Sequence, residues 1–169
     1  MVLQETYELT DYYYYDSQTT DKGRYSVTTG TANLSYSNNG FKCIGTASVD
    51  TFVKNTALTL PTNYEAEFTV TEKFGSHYGG ICLDDLLINF GGSDMTFYRL
   101  STITKIGTTY SVLNTGDVFK VVMQSNTVKV YRNGSLLQTF NNISNTGVYQ
   151  HRIYVDRGQT VKDLKVKAL

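Results

Sequence analysis

Tryptophan is missing from this sequence, proline occurs once, and charged residues are scarce. Charged side chains make up 18% of the chain, below the roughly 25% that is usual in soluble proteins. Lys plus Arg and Asp plus Glu each number 15, so the formal charge is zero and nucleic acid is not an expected partner. No apolar run approaches the roughly 20 residues of a membrane-spanning helix, so we expect no insertion into a membrane.

Cysteine is also rare, with Cys43 and Cys82 as its two occurrences. Each stands in an apolar, strand-like run, where a thiol commonly packs as a small core residue. We therefore expect two buried thiols, and a disulfide between them is the alternative that the sequence leaves open. Without histidines at a matching spacing, the two cysteines do not predict a zinc site.

The first residues show no secretion signal. Residues 1–7 lack both the basic segment and the apolar stretch of a signal peptide. We therefore expect the sequence either to be one domain excised from a longer protein or to leave its cell by another route, such as lysis.

Polarity comes instead from Thr, Ser, Asn, Gly and Tyr, and Tyr alone occurs 14 times. Thr and Tyr favour β-strands, whereas Asn and Gly favour turns. No window of a dozen residues keeps the apolar spacing of a helix. Strand-like segments are found at residues 3–9, 32–37, 41–46, 48–53, 64–73, 78–84, 86–91, 95–100, 109–113, 117–124, 127–132, 136–140, 148–156 and 160–168. No linker divides them, so the sequence predicts one all-β domain over residues 1–169, a sandwich or a barrel.

Several of these segments carry a clear local signal. From Tyr64 to Val70, apolar and polar residues alternate with the period of a strand that has one buried face. Asn133 and Gly134 predict a tight hairpin, because both residues tolerate positive φ. Residues 117–124 are apolar at both parities, which predicts a central strand covered on both faces. The lysines of residues 160–168 predict a strand at or near a sheet edge.

Three pieces of the sequence follow one another in a familiar order. They are the strand that begins at Tyr64, the Gly-rich strand Gly79-Gly80-Ile81, and Gly116-Asp117 followed by an apolar strand and by Val128-Lys-Val-Tyr-Arg-Asn-Gly134. In this order they resemble the concanavalin A-like jelly roll, the broad group with laminin G-like and legume-lectin-like domains. The resemblance covers nearly the whole chain and implies a two-sheet antiparallel jelly-roll β-sandwich.

The opening of the chain is similar to a second group of jelly rolls. Tyr15-Asp-Ser-Gln-Thr-Thr-Asp-Lys-Gly-Arg-Tyr25 and Leu34-Ser-Tyr-Ser-Asn-Asn-Gly-Phe41 look like the start of such domains in bacteriophage tail, baseplate and minor structural proteins. This similarity implies a place on a virion or another extracellular surface. It also implies a receptor- or carbohydrate-binding role.

The same fold hosts glycoside hydrolases, whose concave sheet carries a strand of the pattern Glu-x-Asp-x-Glu. Retaining hydrolysis requires two carboxyl groups about 5 Å apart. The comparable strand here is residues 85–90, in which Leu86, Ile88 and Phe90 would face the core and Asp85, Leu87 and Asn89 would face the groove. One carboxylate does not make such a pair, so we expect the chain not to be an enzyme.

Other acidic and basic residues have simpler interpretations. Glu65 and Glu67 lie two apart on one strand face and could form a carboxylate pair, but we expect them to belong to an ordinary solvated strand face. Asp84 is expected to cap a turn. His151 has the parity of apolar neighbours, which predicts a packed position rather than a member of a catalytic triad.

Recognition of a sugar requires flat aromatic faces for the ring and planar polar groups for its hydroxyls. The resemblance implies a groove on the concave sheet, with the ligand-binding candidates His77, Tyr78, Asp85, Asn89, Tyr98, Arg99 and Tyr110. Tyr98 and Arg99 have opposite parity, so Tyr98 faces the groove if Phe97 faces the core. An ordinary strand surface is the alternative for each candidate, and the missing tryptophan counts against stacking.

The sequence therefore predicts a non-catalytic module that binds a cell-surface glycan or another receptor. The alternative is a structural or assembly domain, a possible homo-oligomer, in which the cluster Tyr12-Tyr-Tyr-Tyr15 lies at a sheet edge or forms a subunit contact. No cofactor is expected. A structural Ca²⁺ held by aspartates is left open, with Asp16, Asp21, Asp156 and Asp163 as the available residues.

Overall fold

The structure is a computed structural model. It describes the backbone of residues 14–16, 25–29, 34–37, 40–43, 51–55, 58–70, 79–91, 94–109, 113–144, 151–155 and 161–169. Side chains are described for residues 58–70, 79–91, 94–109, 113–144 and 161–169. Every regular element in these ranges is a β-strand, and none of them is a helix that could cross a membrane.

Fifteen strands follow one another in the described ranges of the chain. They are β1 (Tyr14–Asp16), β2 (Tyr25–Thr29), β3 (Leu34–Ser37), β4 (Gly40–Cys43), β5 (Thr51–Asn55), β6 (Tyr64–Val70), β7 (Gly79–Leu83), β8 (Leu86–Phe90), β9 (Met95–Arg99), β10 (Thr104–Thr109), β11 (Val118–Gln124), β12 (Thr127–Arg132), β13 (Ser135–Asn141), β14 (His151–Val155) and β15 (Val161–Ala168).

The strands form two large antiparallel sheets and one small hairpin. The six-stranded sheet has the order β1-β15-β6-β11-β12-β13, and the seven-stranded sheet has the order β10-β9-β8-β7-β14-β5-β2. Among the strands described, β3 and β4 pair only with each other. Phe90 of the seven-stranded sheet contacts Phe68 and Phe119 of the six-stranded sheet, with ring centroids 6.4 and 5.5 Å away. The two sheets therefore pack face to face, which confirms the predicted all-β sandwich.

Apolar and polar residues alternate along β6, and the apolar ones face the core, as the sequence predicted. Tyr64, Ala66, Phe68 and Val70 are buried, while the residues between them are half-buried on the other face. Burying one large apolar side chain contributes roughly 1.5–3 kcal/mol. One face of β6 therefore holds the two sheets together, and its other face is available to solvent.

β11 is central, as predicted, but it is covered on only one face. It lies between β6 and β12 in the six-stranded sheet. Phe119, Val121 and Met123 are fully buried, whereas Val118 and Val122 are half-buried on the outer face. The apolar residues at both parities therefore predicted the central position of β11 correctly. Their prediction that a second layer of the protein covers its outer face is wrong.

Two tight turns lie at the ends of this sheet. Asn133 and Gly134 have φ of 48° and 82°, and Ser125 and Asn126 have φ of 49° and 63°. Positive φ at both central residues is the geometry of the hairpin turn that follows the right-handed twist of its strands. The predicted turn at Asn133-Gly134 is confirmed, and Ser125-Asn126 forms a second turn of the same kind.

Asp117 connects the start of β11 to the β12–β13 turn. Its Oδ1 accepts a hydrogen bond from Nδ2 of Asn133 at 2.8 Å, and its Oδ2 accepts from the backbone N–H of Asn114 at 2.8 Å and from Nη2 of Arg132. Burial alone would raise the pKa of Asp117, but these hydrogen bonds outweigh it and lower the pKa. The motif that carried the family resemblance is therefore a structural clamp.

Strand boundaries differ from the prediction in two places. β10 spans Thr104–Thr109 and so begins before the strand predicted at residues 109–113, of which residues 110–112 lie outside the described residues. The sequence did not predict β2 at Tyr25–Thr29. The strand predicted at residues 3–9 lies outside the described residues.

Three strands at the sheet edges contain a β-bulge. The pairing of β10 with β9 passes over Ile106, that of β13 with β12 passes over Leu137, and that of β2 with β5 passes over Thr28. Ile106 and Leu137 are half-buried and pack against the common core. The ring centroids of Phe97 and Phe140 lie 5.0 Å apart, and a Cβ atom at Gly107 of β10 would lie 3.0 Å from the ring of Phe140. β10 and β13 therefore border the same open side of the sandwich. The two bulged residues therefore help to close that side.

The C-terminal strand is near an edge, as its lysines predicted. β15 is second in the six-stranded sheet, and β1 lies outside it. The register pairs Tyr14 with Val166 and Tyr15 with Lys165, so two of the four clustered tyrosines belong to the edge strand. This confirms the sheet-edge position of that part of the cluster.

Candidate functional site

The outer face of the seven-stranded sheet has an apolar floor under β7, β8 and β9. Cys82 is a fully buried thiol and Leu87 is 8% exposed, although neither faces the core between the sheets. Half-buried Tyr98 and Leu100 pack against them. The floor therefore supports one side of an aromatic ring while that ring remains partly accessible.

A polar row crosses the same face beside this floor. The register pairs Asn89 of β8 with Thr96 of β9, and Thr96 with Thr108 of β10. Residues directly opposite one another in an antiparallel pair share a face of the sheet. The three polar side chains therefore lie side by side, and all three are half-buried.

Two oxygens of this row are buried without a hydrogen bond. Oδ1 of Asn89 and Oγ1 of Thr108 have no partner in the part of the chain that the structure describes. A buried polar atom without a partner is costly, and most such atoms in native proteins are paired. Both oxygens are suited to accept hydrogen bonds from a bound molecule.

A glycine leaves the next position in this row without a side chain. Gly80 of β7 is paired with Asn89, and a Cβ atom at Gly80 would lie 2.1 Å from the backbone oxygen of Ile88. Only glycine therefore allows β8 to come this close. In the backbone register, Gly80 is also paired with Tyr154 of β14.

The structure brings together two of the seven predicted ligand-binding residues. Asn89 lies on the outer face of β8, as predicted. Phe97 is fully buried in the core, so Tyr98 lies on the outer face of β9, which is also as predicted. Because Leu87 is paired with Tyr98, Asn89 and Tyr98 are diagonal neighbours on adjacent strands. The side chains of His77, Tyr78 and Tyr110 lie outside the described residues.

Asp85 does not lie on β8, and its predicted place in the groove is wrong. It is in the two-residue turn between β7 and β8 and is 2% exposed. Its Oδ1 accepts from the backbone N–H of Ser101 at 2.6 Å, and its Oδ2 accepts from the hydroxyls of Ser101 and Ser144 at 3.1 and 3.3 Å. The carboxylate therefore connects three chain segments and is not displayed beside Asn89.

Arg99 also lies elsewhere than on the ligand face. Its parity is that of buried Phe97, so it lies on the inner side of β9. Nη2 of Arg99 donates to the backbone oxygen of Asn141 at 3.2 Å and so joins β9 to β13 of the other sheet. Its place among the ligand-binding candidates is therefore corrected, whereas its parity opposite to Tyr98 is as predicted, and its contact with Asn141 is structural.

Sequence reasoning missed Thr96, Thr108 and Lys105. Thr96 has the same parity as Tyr98 and could have been found from that alternation. Thr108 fell outside the strand predicted at residues 109–113. Lys105 is exposed and is paired in the ladder with Tyr98. Because the bulge at Ile106 changes the parity of β10, its residues could not be assigned to a face from the sequence.

The outer face of the six-stranded sheet carries charges that pair with one another. Nζ of Lys120 lies 3.8 Å from Oε2 of Glu65, and Nζ of Lys165 lies 3.6 Å from Oε1 of Glu67. Nζ of Lys120 also lies 5.5 Å from the ring centroid of Tyr131. Each glutamate thus has a lysine partner, which supports the solvated strand face over a catalytic carboxylate pair.

No metal site is formed by the described side chains, since no three of their His, Cys, Asp and Glu groups are close enough to hold an ion. Among the aspartates that were available for Ca²⁺, Asp163 lies in the pairing irregularity of β15 with φ of 54°, and Nζ of Lys162 is 3.7 Å from its Oδ2. The side chains of Asp16, Asp21 and Asp156 are outside the described part, and a structural Ca²⁺ stays a prediction.

No family model and no curated protein matches the sequence. Among solved structures, a protein of unknown function with a galectin-like fold from Bacillus subtilis matches with a TM-score of 0.69 and 8% identity, covering 93% of this chain and 96% of that chain. The carbohydrate-binding module CBM66 from Bacillus subtilis matches with a TM-score of 0.59 and 15% identity, covering 86% of this chain and 96% of that chain.

An enzyme also has this architecture. A Crh5 transglycosylase in complex with NAG matches with a TM-score of 0.62 and 12% identity, covering 92% of this chain and 83% of that chain. At such low identities the similarity concerns the fold and not the activity. The two-sheet architecture and these structural relatives show that the chain has a concanavalin A-like, lectin-like jelly-roll fold.

Proposed function

We propose that the chain is a non-catalytic carbohydrate-binding module whose ligand lies on the outer face of the seven-stranded sheet, between β7 and β10. One observation carries the proposal. Tyr98 lies on an apolar floor directly beside a polar row in which Oδ1 of Asn89 and Oγ1 of Thr108 have no partner within the described chain. An aromatic face next to unsatisfied oxygens offers both contacts that a sugar ring requires.

The structural relatives support a glycan as the ligand. They include a carbohydrate-binding module and a protein with a galectin-like fold. The similarity to a transglycosylase is compatible with the same ligand class, because that structure holds NAG. A fold alone does not determine function, so the proposal depends on the site and takes only its ligand class from the relatives.

The placement of the carboxylates supports binding without catalysis. Hydrolysis with retention requires two carboxyl groups about 5 Å apart at the substrate. The hydrogen bonds to Ser101 and Ser144 engage the Asp85 carboxylate, and Glu65 and Glu67 lie on the other sheet with lysine partners. If the wild type cleaved or transferred a glycan and Asp85→Asn or Glu67→Gln abolished that activity, this part of the proposal would be wrong.

The test is a glycan array with the purified protein and three variants. Tyr98→Ala removes the ring above the floor, and Asn89→Ala removes the acceptor oxygen. Tyr131→Ala is the matched control, because Tyr131 is also half-buried but lies on the six-stranded sheet. We expect the first two variants to bind at least about tenfold more weakly and the control to bind unchanged. If Tyr98→Ala and Asn89→Ala bound glycans as strongly as the wild type and the control do, this face would be excluded as the site.

The setting that we propose is the surface of a phage tail or a comparable extracellular structure. It is supported by the resemblance of residues 15–25 and 34–41 to the start of phage structural domains. A structural or assembly role is the second candidate, because β1, with Tyr14 and Tyr15, forms one edge of the six-stranded sheet. Light scattering tests it: an oligomer that Tyr14→Ser or Tyr15→Ser dissociates would favour assembly.

A further inference from the structure

We infer that Thr108 is a ligand-binding residue and that it forms, with Asn89, an acceptor pair for the hydroxyl groups of a neutral sugar. The inference rests on the proposed function and makes it more specific. It assigns a residue on β10, and it names neutral rather than acidic sugars as the group that lies over the polar row.

The spacing of the residues in the polar row fits a sugar. Asn89, Thr96 and Thr108 occupy neighbouring positions on β8, β9 and β10 of one face. Neighbouring strands lie roughly 4.8 Å apart, so Asn89 and Thr108 are separated by about 9.6 Å at the backbone. Two acceptors at this separation can bind hydroxyls on opposite sides of one ring or on adjacent rings of a chain.

The chemistry of the two oxygens selects the ligand group. Oδ1 of Asn89 can only accept a hydrogen bond, whereas the hydroxyl of Thr108 can accept and donate. A sugar hydroxyl can satisfy both atoms. A carboxylate or sulfate has no proton to donate at neutral pH, so it would leave Oδ1 of Asn89 unsatisfied in a buried place. An acid group in contact with this row is therefore disfavoured, whereas a neutral ring presents only hydroxyls to both oxygens.

The hydroxyl of Thr108 has no role within the described part of the chain that would explain it. Oγ1 is buried and has no hydrogen-bond partner there. Valine has the same shape and is also favoured in strands, so it would fill the position without a buried polar atom. The hydroxyl therefore costs stability in the ligand-free protein, and a bound ligand is what would use it.

The test combines stability and binding in Thr108→Val. The control is Thr139→Val, because Thr139 is an exposed strand residue on the other sheet. The probes are β-linked galactose oligosaccharides, β-linked glucose oligosaccharides, and the corresponding galacturonate and glucuronate oligomers. We expect Thr108→Val to raise the Tm of the ligand-free protein by about 2–4 °C and to weaken binding of a neutral oligomer about tenfold. Thr139→Val should change neither quantity.

The outcomes separate this inference from the proposed function. A lower Tm for Thr108→Val would show that its hydroxyl is already hydrogen-bonded without ligand, and the inference would be wrong whatever glycan binds. Unchanged binding by Thr108→Val, or tighter binding of the uronate oligomers than of the neutral ones by the wild type, would overturn the inference alone. Absence of binding to every oligomer by the wild type would overturn both.

Discussion

The guanidinium of Arg132 donates to the carboxylate of Asp117 with 2.5 Å between Nη2 and Oδ2, and the two side chains are only 12% and 6% exposed. Asp117 also accepts from the amide of Asn133, whose Oδ1 in turn accepts from the backbone N–H of Val118 at 2.9 Å. One carboxylate thus fixes the start of β11 and the β12–β13 turn together.

We expect Asp117→Asn to destabilise the fold by about 3 kcal/mol, because it removes the negative charge that the buried guanidinium of Arg132 contacts. Glu65→Gln is the control, since Glu65 is more exposed and its pair with Lys120 is 3.8 Å long. That change should cost less than about 1 kcal/mol. Urea unfolding of both variants measures the difference, and equal effects would show that burial of the pair has no consequence.

The same carboxylate predicts how stability depends on pH. The pKa of Asp117 is lowered in the folded protein, so the folded state holds its proton less firmly than the unfolded chain does. Its contribution is therefore complete above the ordinary pKa of about 4 and is lost as the pH falls below that value. Unfolding free energies of the wild type and Asp117→Asn should converge as the pH falls below about 4. A constant difference over that range would contradict the assignment.

Gly80 should tolerate no side chain. Its Cβ would meet the backbone oxygen of Ile88 at 2.1 Å, and backbone in a central sheet cannot move aside easily. Gly80→Ala is expected to cost about 3 kcal/mol. Gly107→Ala is the comparison: its Cβ would approach side-chain ring atoms of Phe140 and Phe97, the nearest at 3.0 Å, rather than backbone, and the change should cost about 1 kcal/mol. Thermal unfolding ranks the two, and the reverse order would refute the close approach of β8.

Ile103 has a left-handed backbone conformation that asparagine would adopt more easily. It has φ of 50° in the β9–β10 turn and is 86% exposed, so its side chain gains little from burial. A β-branched residue is disfavoured there, whereas asparagine tolerates the left-handed region. We expect Ile103→Asn to stabilise the protein by about 1 kcal/mol. Leu136→Asn replaces an exposed strand residue and should give no gain. A loss of stability in Ile103→Asn would contradict this account.

Local patterns in the sequence predicted much of the fold because they act over short distances. The alternation along β6 gave its buried face, and Asn133-Gly134 gave the hairpin. The same parity rule placed Asn89 and Tyr98 on one face, since each strand has a regular period of two. These features depend on residues that are neighbours along the chain.

Features that depend on distant residues were not predictable in this way. The partners of Asp85 are Ser101 and Ser144, which are 16 and 59 positions away. Nothing near Asp85 in the sequence shows that its carboxylate is already engaged. In β10, the irregularity at Ile106 interrupts the alternation and hides Thr108. The sequence therefore predicted the part of the candidate site on β8 and β9. The residue on β10 could be identified only from the register of the sheet.

The bulges at Ile106, Leu137 and Thr28 have a consequence for the behaviour of the protein at high concentration. An incoming strand can extend a sheet only if the edge offers a regular series of N–H and C=O groups. β10, β13 and β2 each break that series after a few residues, and the fourth edge strand, β1, is three residues long. Neither large sheet presents a long regular template along its described edges, so growth into fibrils by edge pairing is opposed at both ends of each sheet.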